Sequence, residues 1–214
     1  MMKRRRAAHP RVLVSIVCVL LVLPRLTLSN TPPPKGDVGE ECKWDRRHKL
    51  GHYMFFDIDG EHIHEFHEFK GHPVLCVIVA TRDPHAKEQY EALNDLHDQY
   101  HSRGLRIFAF PTNQIDKSEP KEGLEILQDI KDALGVEPRF TMLKRHLVMG
   151  RDQHLVFKWL TDNCGKHDIQ DNFEKFLIDK KGRPFKRYTH RTDPLAIQHD
   201  IEHLLWEGGE HDEL

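Results

Sequence analysis

The sequence predicts an α/β fold, an open sheet with helices packed on it, and three observations carry that prediction. The first is an apolar run, Val74, Leu75, Cys76, Val77, Ile78, Val79 and Ala80. It is too short to span a membrane and rich in β-branched side chains, so it reads as a strand buried on both faces. The second is the stretch after Asp83-Pro84, where Ala86, Tyr90, Leu93, Leu96 and Tyr100 recur at helical spacing as far as Gly104. An Asp oxygen accepts a free backbone N–H at a helix start, Pro lacks the donor that would be orphaned there, and Gly supplies the stop. The third is a second apolar strand, Leu105 to Phe110, running into Pro111, Thr112, Asn113 and Gln114. Strand, helix and strand form a βαβ unit, and open α/β sheets place their chemistry at the carboxyl ends of such strands.

Taken from the beginning, residues 1–29 read as a signal peptide. Lys3, Arg4, Arg5 and Arg6 form a basic start, and Val12 to Leu23 an apolar core broken by Pro24 and Arg25. That core is too short for a bilayer span, and Thr27 and Ser29 are small enough for a cleavage site. An uncleaved anchor is the competing reading; cleavage leaves no stable membrane insertion. The chain closes with His211, Asp212, Glu213 and Leu214, an endoplasmic reticulum retention signal read by the retention receptor. The two addresses agree on the lumen of the endoplasmic reticulum.

Removing 1–29 takes away six basic residues and no acidic ones, so the formal charge goes from −2 to −8 with His neutral. That sign argues against a nucleic-acid partner. Cys42, Cys76 and Cys164 remain, in a compartment where disulfides persist, and an odd number leaves at least one thiol over. Cys76 falls within the central strand, where a thiol behaves as a small hydrophobe. Cys42 and Cys164 are free to pair as far as spacing goes, but their separation is not legible.

Residues 30–50 form a lead-in, Pro and Gly rich to Gly39 and then mostly charged, with Cys42 and Trp44 the only side chains suited to packing. Residues 51–207 form the folded domain and 208–214 the tail. Tyr53 to Ile58, then Asp59-Gly60, then Ile63 to Phe69 read as an N-terminal hairpin, because Asp-Gly favours the positive φ of tight turns. His62, His64, His67 and His72 sit close together among 17 histidines; without the spacing of a closed metal site they read as exposed edge residues, and no metal is assigned. After the polar loop Ile115 to Pro120, Leu124, Leu127, Ile130 and Leu134 define an amphipathic helix ending at Gly135. A strand-like piece at Phe140, Thr141 and Met142 and a helix from Gln153 to Leu160 come next. Phe173 to Asp179 and Pro184 to Tyr188 are paired strands. Asp193-Pro194 opens the last helix by the capping chemistry of Asp83-Pro84, with Leu195, Ile201, Leu204 and Leu205 on its buried face.

The turn "VATRDP", the segment "GLRIFAFPTNQ" followed by "EP", then "GV", "FLIDKKGRPFKRY" and "DPLAIQHDIEHLL" together resemble the glutathione peroxidases across roughly Gly51 to Leu205. The resemblance implies a thioredoxin-like fold, a central mixed sheet flanked by helices. It also implies hydroperoxide reduction by a Cys or selenocysteine at the end of the first sheet strand, assisted by Gln, Trp and Asn, with glutathione or a thioredoxin-like protein as reductant. On this chain the peroxidatic position falls on Asp83, the Gln on Gln114, the Trp on Asp171 and the Asn on Asn172. Two of the four differ, the nucleophile among them. The long insertion some tetrameric members use for assembly is lacking, which favours a monomer.

A thiolate at a helix N-terminus is stabilised by free N–H groups and the helix dipole. Asp83 keeps the negative charge there, but a carboxylate has no route to a sulfenic-type intermediate, so the two-electron cycle stops at its first step. Cys76, seven residues back along a strand, lies roughly 23 Å from the strand tip. Cys164 is the alternative nucleophile, with Cys42 as resolving partner. The expected reading is therefore a member of the family lacking peroxidase activity that acts by binding, with a protein disulfide isomerase-like oxidoreductase as the partner the resemblance suggests. The carboxylate of Asp83 is expected to accept hydrogen bonds from Gln114 and Asn172.

Overall fold

Strand β4 (Val74–Val79) runs through the middle of a six-stranded mixed sheet, and its sequence explains why. Its side chains alternate between two hydrophobic clusters. Leu75, Val77 and Val79 enter one, Val74, Cys76 and Ile78 the other, and none is more than 1% exposed. A strand with helices on both faces has no polar side to show, hence the unbroken apolar run. The computed structural model describes residues 36, 38–44 and 53–207. The signal-peptide reading of 1–29, most of the 30–50 lead-in and the tail 208–214 with its retention signal lie outside them.

The sheet is completed by β1 (Glu40–Glu41), β5 (Arg106–Pro111), β6 (Thr141–Met142), β7 (Lys175–Ile178) and β8 (Pro184–Tyr188), in the order β1-β8-β7-β4-β5-β6. Pairs β4–β5 and β5–β6 are parallel, while β4–β7, β7–β8 and β8–β1 are antiparallel. On one face lie α1 (Ala86–Tyr100), α2 (Leu124–Leu134) and α4 (Gln198–Trp206), burying Tyr90, Leu93, Ile126, Ile130, Ile201 and Leu204. On the other lie α3 (Leu155–Asn163) and the aromatics of a separate hairpin, β2 (Met54–Phe56) with β3 (Ile63–Glu65). The mixed sheet, the flanking helices and the N-terminal hairpin are those expected. No helix among the described residues is long and apolar enough to cross a membrane.

Several boundaries move, each for a local reason. The second hairpin strand stops at Glu65, because the Glu68 carboxylate accepts the Glu65 N–H at 3.3 Å and starts a 3₁₀ turn over Phe66–Phe69. Helix α3 begins at Leu155, where His154 Nδ1 accepts the Val156 N–H, and runs on to Asn163, whose side-chain amide donates back to the Trp159 carbonyl. Strand β7 starts two residues after Phe173, which sits at φ +59°, outside the extended region. The last helix opens with a 3₁₀ turn over Pro194–Ile197 whose first free N–H, on Leu195, is taken by Asp193 at 2.8 Å.

Cys42 and Cys164 form a disulfide that closes 122 residues and pins the segment carrying β1 to the end of α3. By restricting the unfolded chain, such a bond contributes on the order of 2–5 kcal/mol. Two buried ion pairs flank that edge. Arg187 meets Glu174, Nε to Oε2 at 2.8 Å, and Lys186 meets Asp200, Nζ to Oδ1 at 3.1 Å.

Candidate functional site

The carboxyl ends of β4 and β5 and the segment entering β7 meet at one end of the sheet, because β7 runs antiparallel to β4. Asp83 follows β4, Gln114 follows β5 and Asn172 precedes β7, so topology gathers three of the positions named from the sequence. Asp83 is not the residue that caps α1; His85 is, two places on. Its carboxylate nevertheless takes a backbone donor, the His85 N–H, on Oδ1 at 2.9 Å. The other oxygen, Oδ2, accepts from Asn172 Nδ2 at 3.1 Å, so the expected Asp83–Asn172 bond is present. Asn172 is 2% exposed and also donates to Ser118 Oγ at 3.1 Å, leaving its own Oδ1 buried without a partner. The left-handed Phe173 behind it turns the chain, sending its ring into the core against Tyr90. A non-glycine residue at such a φ is a local cost of on the order of 1–3 kcal/mol.

Gln114 corrects the expectation made for it. Its Oε1 accepts the N–H groups of Val148 and Met149 at 2.6 and 3.1 Å, and its Nε2 donates to the Met149 carbonyl at 3.0 Å. The amide is spent on the 148–149 backbone, not on Asp83. Asp171 also faces elsewhere: half exposed, it places Oδ2 3.0 Å from Nδ1 of His190, at an angle that leaves the buried Nδ1 without an aligned hydrogen bond.

Beneath Asp83 lies a layer that reading the sequence missed. Thr81 donates its N–H and hydroxyl to Glu119 Oε2 at 2.9 and 2.8 Å. Glu119 is fully buried, and burial pushes its carboxyl above the usual range against the Thr81 hydrogen bonds that lower it. The Arg82 N–H donates to the Ser118 carbonyl, and its guanidinium pairs with Asp129. The signal available was the "EP" pair at Glu119-Pro120: a buried glutamate holding the turn after β4 rather than a loop residue.

Sulfur chemistry finds no free thiolate among the described residues. Cys164 is fully buried and bonded to Cys42, so the alternative nucleophile has no thiol to ionise in this state, and its resolving partner is the residue it is tied to. Cys76 is free but completely buried in β4, and burial pushes its thiol far above the usual range. The histidines of the hairpin do not converge. His64 meets Asp57 at 2.9 Å, His67 meets Glu65 at 3.1 Å and His72 meets the Gly104 carbonyl at 3.0 Å.

Beside Gln114 a cavity of about 630 Å³ is lined by Thr112, Asn113, Lys144 and His146. Burial pulls the His146 imidazole down to about 4 against a hydrogen-bonding contact with the Lys144 carbonyl, and a neighbouring His154 adds to the shift. Burial lowers His154 as well. Between pH 6.5 and 4 the unfolded chain therefore binds a proton at His146 that the folded chain refuses, and stability falls as pH falls. The expected loss is on the order of 2–3 kcal/mol over that window. Urea unfolding at pH 7 and pH 4.5 measures it, and a His146→Gln variant should flatten the slope. An unchanged slope in that variant assigns the effect elsewhere.

Comparison with known proteins agrees with this architecture. Residues 50–161 match the family model described as glutathione peroxidase. The chain is 36% identical over 194 residues to a "Phospholipid hydroperoxide glutathione peroxidase" of Pongo pygmaeus, covering 86% of this chain and 96% of that protein. Among solved structures it is similar to "T. cruzi GPX1", with TM-score 0.57 and 25% identity over 72% of this chain and 94% of the other. A thioredoxin family thiol:disulfide interchange protein from Chlorobium tepidum shares the fold at TM-score 0.53 and 13% identity, covering 82% and 98% of the two chains. With a thioredoxin-like sheet, the family model matched over residues 50–161 and a relative 36% identical over 86% of the chain, this chain belongs to the glutathione peroxidase family.

Proposed function

We propose that this chain is a non-catalytic member of the family, resident in the lumen of the endoplasmic reticulum, that acts by binding a protein disulfide isomerase-like oxidoreductase. The observation that carries this reading is the Asp83 carboxylate, held by Asn172 and the His85 N–H where the family's chemistry requires a chalcogen. A carboxylate cannot take an oxygen atom from a peroxide and be regenerated by a thiol. The disulfide of Cys164 supports the same reading, since the active alternative needs that sulfur free. The basic and apolar start and the closing His-Asp-Glu-Leu support the lumenal address. In the proposed role the chain works as a monomer and presents the altered sheet end as a fixed polar surface.

Capture from lumenal extract on the immobilised chain, followed by titration with the purified oxidoreductase, tests the proposal. Saturable binding that leaves peroxide untouched is the expected result. Recovery of the retention receptor alone counts against the partner, and peroxide turnover counts against the non-catalytic reading.

A further inference from the structure

We propose that the Cys42–Cys164 disulfide is a redox latch: a protein dithiol of the thioredoxin-fold class opens it by attack at Cys42, and residues 40–44 then leave the edge of β8. The inference stands apart from the binding role proposed above, because it requires only a reductant of that chemistry.

The segment is held at two ends by different means. At the near end the Gly36 N–H donates to Asp200 Oδ1 at 3.0 Å, and the buried Lys186 Nζ donates to the carbonyls of Gly36 and Val38 at 2.6 and 3.2 Å. At the far end stands the disulfide. Between them β1 is two residues long, with both side chains exposed, and pairs only with Lys186 and Arg187 of β8. Two more backbone bonds follow, from the Cys42 N–H to the Phe185 carbonyl at 3.0 Å and from the Lys43 N–H to the Asn163 carbonyl at 2.7 Å. The ion contacts are long, Glu40 to His167 at 4.0 Å and Glu41 to Lys186 at 3.8 Å, and both carboxylates are more than half exposed, where such pairs contribute little. Exposed bonds with few buried apolar contacts mark a stretch that opens easily once its covalent tie is cut. Gly39 separates the two ends. It sits at φ +86°, and a Cβ there would come 2.5 Å from the Tyr188 ring, so the pivot is a position only glycine fills.

Access decides which sulfur reacts. Cys42 is partly exposed and Cys164 fully buried. A thiolate of the reductant attacks the Cys42 sulfur and forms a mixed disulfide, while the bonding pair leaves with the Cys164 sulfur, which takes up a proton. The reductant's second thiol loses its proton and attacks the mixed disulfide, leaving as a closed disulfide, and the Cys42 sulfur is protonated in turn. Two electrons and two protons pass from the dithiol to this chain. Glu40 also lines a cavity of about 690 Å³ together with Gln170, Asp171 and His190, so its departure opens that cavity and bares the pairing edge of β8.

The test has two arms on the full chain. A thioredoxin whose second active-site cysteine is replaced by Ser should trap a mixed disulfide, which peptide mass spectrometry maps to Cys42. Hydrogen exchange should then compare the oxidised chain, the chain reduced with dithiothreitol, and the Cys42→Ser, Cys164→Ser double variant. Peptides covering 40–44 are expected to exchange about tenfold faster or more in the reduced chain and in the variant, with β4 peptides unchanged in all three. A trapped thioredoxin on Cys164, no trapped species, equal protection of 40–44 in all three proteins, or loss of β4 protection on reduction would each overturn the latch.

Discussion

The Asp83→Cys variant is expected to consume hydrogen peroxide and lipid hydroperoxide with a thiol reductant, while the natural chain consumes neither. A thiolate at position 83 inherits two donors already aimed at Asp83, the His85 N–H at 2.9 Å and Asn172 Nδ2 at 3.1 Å. The N-terminal turn of α1 adds its dipole, and together these lower a thiol pKa and favour attack on peroxide oxygen. Two of the family's donors are missing. Gln114 is spent on the Val148 and Met149 backbone, and Asp171 stands where the resemblance places an indole. Losing one such donor costs about 10²–10³ in rate, so the single variant should be slow. Asp171→Trp in the same chain should recover part of that loss. Peroxide consumption should be assayed with glutathione, thioredoxin and reduced protein disulfide isomerase each offered as reductant. Turnover by the natural chain at the variant's rate would sink the non-catalytic reading. Silence from both folded proteins would mean that the displacement of Gln114, not Asp83 alone, had ended the chemistry.

The largest effect on stability should come from Asp200→Ala. Asp200 is fully buried at the start of α4 and accepts from Lys186 Nζ, from the Tyr188 hydroxyl at 2.9 Å and from the Gly36 N–H at 3.0 Å. Lys186, 3% exposed, also donates to the carbonyls of Gly36 and Val38. Removing the acid leaves a buried ammonium and a buried phenol without it and loosens the segment before β1. Breaking one side of such a pair costs about 3–5 kcal/mol, a fall in Tm on the order of 10 °C for a chain this long. Replacing both partners, as Lys186→Met with Asp200→Leu, should recover most of the loss, because the cost lies in the unpaired charge. Denaturant unfolding of the three proteins measures this, and a loss below about 1 kcal/mol in Asp200→Ala contradicts the account.

Much of the framework was legible along the chain. The β4–α1–β5 unit could be read because its signals are local: an uninterrupted apolar strand, a period near 3.6, and a Gly at φ +115° closing the helical stretch. The structure brings together Asp83 and Asn172, two positions singled out along the chain from the family motifs. What the sequence by itself determined, then, was the fold and the family.

Tertiary structure alone decided where the remaining groups point. Gln114 occupies its expected place in the chain, yet the nearest free backbone donors belong to Val148 and Met149, thirty-four and thirty-five residues on, and no local pattern records that. Asp171 turns to His190, Cys42 finds Cys164, and Lys186 finds Asp200 for the same reason. Each is a contact between elements whose adjacency is set by strand order. Hydrophobic periodicity specifies which face of an element is buried, but polar partners are chosen by whichever unsatisfied donor or acceptor the packed elements bring within about 3 Å.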